Sequence, residues 1–158
     1  MAIRKIVKIG DDVLTKKAKS VDKYDKKLAV LIDDMFDTMY DAGGIGLAAP
    51  QIGILRRIVV IDVGDGPVEM VNPVIVEASG EQTCKEGCLS VPGMTGDVIR
   101  PAKLTVKAMD REGNEHVYEA EELFAVCICH ELDHLDGILF KDRAVKLYDE
   151  EDQEIPME

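Results

Sequence analysis

The chain has 158 residues, 46% hydrophobic and 32% charged, with 31 carboxylates against 19 lysines and arginines and a formal charge of −12. That size suits one domain able to bury its own core. The negative charge repels phosphate backbones and anionic lipid surfaces, which argues against a direct nucleic-acid substrate and against a membrane partner.

The opening MAIRKIVKIG threads basic residues through apolar ones and lacks the apolar stretch of a secretory signal, so the expected compartment is the cytoplasm. The four cysteines then read as reduced thiols. Over residues 27–41, Leu28, Leu31, Ile32, Met35, Met39 and Tyr40 recur at helical spacing and predict an amphipathic helix. Gly43 and Gly44 end it, and a loop carrying GIGLAAPQ follows.

Residues 57–63 and 70–77 are rich in Val and Ile and are separated by Gly64, Gly66 and Pro67, the pattern of a β-hairpin or meander. A second hairpin is predicted where 103–110 and 116–120 flank Arg111-Glu112-Gly113-Asn114. From Glu121 the period is helical again, with Leu123, Val126, Cys127, His130 and His134 on one face and an end near Gly137. The longest apolar run, residues 123–129, is far short of the roughly 20 needed to span a bilayer. The expected class is α+β: a mostly antiparallel sheet, an N-terminal amphipathic helix and an HExxH helix near the C-terminus. Residues 1–148 form the expected single catalytic domain; 149–158, with six carboxylates and no basic residue, read as a frayed acidic tail.

Three motifs carry chemistry. His130-Glu131-Leu132-Asp133-His134 is an HExxH sequence in a predicted helix, and its i, i+4 spacing lets both imidazoles reach one metal ion with Glu131 beside it. A catalytic metal site needs a third protein ligand and an open position for water, and Cys88, in a Gly-containing loop EGCLS, is the candidate. In GIGLAAPQ, Gly44 and Gly46 let backbone approach a ligand closely, and Gln51 can donate an amide hydrogen to a developing oxyanion. Each has a plainer reading: a chance His/Glu surface, a buried free thiol, a small-residue packing loop.

Together, in the order GIGLAAPQ, EGCLS, HELDH, these motifs closely resemble the bacterial peptide deformylase family, from an opening similar to "I.KIGD..L...A..V" through to Asp142. The resemblance implies hydrolytic removal of the formyl group from N-formylmethionyl nascent peptides, with release of formate. It makes Cys88, His130 and His134 the metal ligands and Glu131 the general acid/base, while Gln51 and the backbone N–H of Leu89 hold the formyl oxygen. It implies one divalent metal per chain, usually Fe2+, with Ni2+, Co2+ or Zn2+ able to substitute. Gly44, Ile45, Gly46, Leu123, Val126 and Cys127 resemble the pocket for the first residue, although such residues are also ordinary core. Glu86 and Arg100 resemble an ion pair bracing the Cys88 loop.

Two departures stand out. Thr95 stands where some members have an arginine that grips the peptide. The acidic tail replaces the basic helix with which some members sit on the ribosome, so transient ribosome contact stays open. Two rival readings also remain: an HExxH peptidase, whose third ligand normally lies downstream where no His follows His134, and a structural zinc module closed by Cys84.

Overall fold

The computed structural model describes residues 2–157. Its elements are α1 (Lys26–Asp41), β1 (Gly46–Ala48), β2 (Ile58–Ile61), β3 (Val68–Ser79), β4 (Gln82–Cys88), β5 (Val91–Arg100), β6 (Lys103–Met109), β7 (Glu115–Glu121), α2 (Glu122–Leu135), α3 (Phe140–Arg143), β8 (Lys146–Tyr148) and β9 (Glu154–Ile155), with single 3-10 turns at Asp12–Thr15 and Ala49–Ile52. Strands pair antiparallel into two sheets, one ordered β1-β2-β3-β6-β7 and the other β4-β5-β8-β9. No helix among the described residues is long and apolar enough to cross a membrane.

The β2 sequence Ile58-Val59-Val60-Ile61 is buried on both faces, which is why it reads as an unbroken apolar run rather than an alternation. Ile58 and Val60 pack with Leu28, Ile32, Met35 and Met39 of α1. Val59 and Ile61 point the other way, into a cluster with Ala125, Ile128, Leu132 and Leu135 of α2. The two helices therefore cover opposite faces of one sheet, and α2 is buried almost throughout. Asp25 starts α1 by accepting the Leu28 N–H at 3.0 Å, satisfying one of the free donors of the first turn. A third cluster, built on Leu14, Val91, Val98, Leu139 and Phe140, joins α3 to the second sheet.

Two regions differ from the expectations above. Cys88 lies at the tip of a hairpin rather than in a loop: Gly87 pairs with Thr95, and after a register shift Cys88 pairs with Val91. The less exposed positions of β4 are Gln82, Cys84, Glu86 and Cys88, polar or ionisable residues that hide the period-two pattern from a hydrophobicity reading. The acidic tail, read as frayed, folds back as β9, where Ile155 and Glu154 pair with Leu147 and Tyr148 of β8. Asp149 closes this turn by accepting the Glu151 and Gln153 N–H groups, each at 2.9 Å, and Lys85 reaches Asp152 at 2.6 Å. Thr95 sits between β4 and β8, opposite Gly87 and Tyr148.

Candidate functional site

Cys88 ends β4 while His130 and His134 project from α2, and their ligand atoms all lie within 4.8 Å of one another. Four residues along a helix return a side chain to the same face, which brings the two imidazole centroids to 5.1 Å. Cys88 Sγ lies 3.3 Å from His134 Nε2. His130 Nδ1 is taken by Glu86 Oε1 at 2.8 Å, so Nε2 is the nitrogen it turns toward Cys88. Glu86 is itself gripped by Arg100 through Nε at 2.8 Å and Nη2 at 2.9 Å, the pairing expected from the sequence. Arg100 Nη1 goes on to Asp133 Oδ2, a contact that the sequence reading missed.

Gln51 is fixed at both ends. Its Oε1 accepts the Ala48 N–H at 2.9 Å, and its Nε2 donates to Ser90 Oγ at 3.1 Å and lies 3.6 Å from Cys88 Sγ. The amide NH2 is thereby turned toward the thiol, next to Leu89. Nothing in sequence spacing ties Ser90, the last residue of EGCLS, to Gln51. Leu89 follows Cys88 in the turn between β4 and β5. A Cβ on Gly44 would meet its side chain at 2.7 Å, so the absence of one lets the GIGLAAPQ segment approach the hairpin.

These parts border a cavity of about 390 Å³. Ile45, Leu123, Val126 and Cys127 supply apolar wall, Gly44 and Gly46 a wall without side chains, and Gln51, Cys88, Leu89, His130 and Glu131 the polar end. His134, 1% exposed, lies outside that lining and joins the group through Cys88. Cys84, Val91 and Met94 also border the cavity; of these the sequence reading had singled out only Cys84, as a rival ligand.

The electrostatics separate the two imidazoles. Burial alone would lower His130, but its hydrogen bonds to Cys88 and Glu86 raise it to about 10; burial, then the neighbouring positive charge of His130, lowers His134 to about 3. Burial raises Glu131 to about 7. Burial opposes ionisation of Glu86 too, yet hydrogen bonds from Arg100 and His130 hold it below the ordinary range. Among the described residues, Glu131 Oε1 and His134 Nδ1 are buried with no hydrogen-bond partner. A thiol and two imidazoles with converging ligand atoms, beside an unpartnered carboxylate oxygen on a cavity wall, fit a divalent first-row metal ion with an open coordination position.

A sequence model of the polypeptide deformylase family matches residues 3–150. The chain belongs to that family. It is 54% identical over 154 residues to a peptide deformylase of Acetivibrio thermocellus, covering 98% of this chain and 91% of that one. A crystal structure of a Legionella pneumophila peptide deformylase superposes with a TM-score of 0.88 at 51% identity, covering 90% of this chain and 86% of the other. A peptide deformylase of Synechococcus elongatus in complex with actinonin gives a TM-score of 0.87 at 44% identity, over 89% and 78% of the two chains. Two mostly antiparallel sheets and their helices are thus the fold of known deformylases.

Proposed function

We propose that this chain is a metal-dependent hydrolase that removes the formyl group from the N-terminal formyl-methionine of new polypeptides and releases formate. The observation that carries the reading is Glu131: a buried carboxylate on the cavity wall, with one oxygen unpartnered, next to three converging metal-ligand side chains. A closed structural zinc shell has no use for such a group.

In this reading Cys88, His130 and His134 hold one divalent cation, Fe2+ in preference to Ni2+, Co2+ or Zn2+, and Glu86 orients His130 from behind. When bound, the cation supplies a Lewis acid and lowers the pKa of water from about 15.7 toward roughly 7. Glu131 takes the proton from the attacking water and delivers it to the leaving amine. Gln51 Nε2 and the Leu89 N–H donate to the formyl oxygen as negative charge develops on it, and one such donor lowers the barrier by roughly 3–4 kcal/mol. The methionine side chain enters the apolar part of the cavity, between Ile45, Leu123, Val126 and Cys127. Such a substrate belongs to the cytoplasm and to nascent chains, met in transient contact with the ribosome.

The test is formate release from formyl-Met-Ala-Ser by protein loaded anaerobically, in separate samples, with iron, nickel, cobalt and zinc. Release with at least one metal is the expected result, fastest with iron. No formate from any sample would overturn the reading.

A further inference from the structure

A chain of charged groups runs from His130 to the protein surface. His130 Nδ1 meets Glu86 Oε1 at 2.8 Å, and Arg100 grips both Glu86 oxygens at 2.8 and 2.9 Å. Its remaining arm, Nη1, reaches Asp133 Oδ2 at 2.7 Å, and Arg143 Nε reaches the same oxygen at 2.7 Å. Glu86 and Arg100 are 5% and 3% exposed, whereas the Arg143 side chain is 47% exposed. The last link therefore comes from outside the core, from the final residue of α3.

We infer that Arg143 is a positioning residue for His130, acting through Asp133, Arg100 and Glu86; the inference rests on His130 being a metal ligand. Arg100 is shared by two carboxylates, Glu86 and Asp133, that compete for one guanidinium. Arg143 supplies the second positive charge, so that two guanidiniums face two carboxylates and neither carboxylate must draw Arg100 from the other. Without Arg143, Asp133 has Arg100 as its one cationic partner and pulls it away from Glu86. The fork on Glu86 then loosens, and Glu86 is the group that fixes the ring angle and tautomer of His130. Partners directly behind a metal-ligating histidine are typically worth about 10–100-fold in metal affinity. Arg143 acts from three links further out, so about fivefold is expected.

The experiment follows cobalt leaving the loaded protein into excess chelator, read from the thiolate-to-cobalt absorption of Cys88. Arg143→Gln is expected to release cobalt about fivefold faster, and Arg143→Lys, which keeps the charge but not the fork, at an intermediate rate. Arg57→Gln is the comparison for plain loss of helix stability. Arg57 caps the end of α2 by donating to the Leu135 carbonyl at 3.1 Å and to Asp136 at 3.1 Å, and takes no part in the chain to His130. It is expected to lower the thermal midpoint yet leave cobalt release unchanged. Wild-type release from Arg143→Gln, or equal acceleration by Arg57→Gln, overturns the inference while leaving the deformylase reading intact. A wild-type protein that binds cobalt without a thiolate band overturns the metal-site reading and this inference with it.

Discussion

Gly46 faces the Glu131 carboxylate so closely that a methyl group on its Cα would lie 2.5 Å from Oε2, and 2.8 Å from Cys127 Sγ. Gly46 is not among the glycines with left-handed backbone, so alanine meets a steric obstacle there and not a conformational one. The neighbour that must yield is the group proposed to move the proton. Gly46→Ala is expected to lower kcat for formyl-Met-Ala-Ser about 10–100-fold, since a displacement near 1 Å can cost that much. Circular dichroism should stay unchanged. A kcat within twofold of wild type would mean that the carboxylate position is not critical.

Glu131→Gln keeps the shape and burial of the side chain but removes the proton acceptor. Turnover is expected to fall about 10²–10⁴-fold, the usual contribution of a general acid/base. Metal content should remain near one per chain, because Cys88, His130 and His134 are untouched. Metal analysis and the formate assay on one preparation check this, and more than a tenth of wild-type activity would remove Glu131 from its role.

What sequence reveals here depends on whether a residue's partner is set by local spacing. The His130/His134 pair is legible because an α-helix fixes the i, i+4 relation whatever the rest of the chain does. Ile58-Val59-Val60-Ile61 is legible as a strand because both its faces are buried and apolar. The β4 strand is not, because its less exposed positions, Gln82, Cys84, Glu86 and Cys88, carry no apolar alternation. Asp133 and Arg143 give no signal of their joint contact with Arg100, since their meeting depends on how α2, α3 and β5 pack. The acidic tail has a surface composition, and what orders it is pairing with Leu147 and Tyr148, which composition does not report.

Asp34 anchors the N-terminal segment to α1. Only 3% exposed, it accepts the Ala2 N–H at 3.0 Å and Arg4 Nε and Nη2 at 3.0 and 2.9 Å. The hydrogen bond from the Ala2 amide is the main cause that holds its pKa below the ordinary 3.8; burial opposes the shift and Arg4 reinforces it. The folded state thus binds fewer protons than the unfolded one, and the stabilisation is present above pH 3.8 and lost as pH falls below it. Asp34→Asn should lower the thermal midpoint by about 2–4 °C at pH 7. Scans at pH 7 and in strong acid check this: the difference should vanish in acid, and one that persists there would mean that the charge is not what Asp34 contributes.

Cys84 and Cys88 are both four residues apart in sequence and on the same side of β4, yet only Cys88 shares a metal-sized cluster with the histidines. The reason is the rise of the backbone. Four residues of strand span about 13 Å, whereas four residues of helix complete roughly one turn and bring side chains together. Cys84 borders the same cavity, so access does not separate the two thiols. Burial, followed by the negative charge of Glu86, raises the Cys84 pKa and keeps it a neutral thiol, a poor ligand and a poor nucleophile. Cys84→Ser is therefore expected to retain metal and at least half of the activity. Cys88→Ser replaces a soft sulfur ligand by a hydroxyl and should weaken cobalt or zinc binding at least tenfold, with loss of the thiolate-to-cobalt absorption. Metal titration of both variants against a chelator of known affinity measures this. Equal weakening in the two would point to a site closed by both sulfurs, with no coordination position left for water, and would contradict the hydrolase reading.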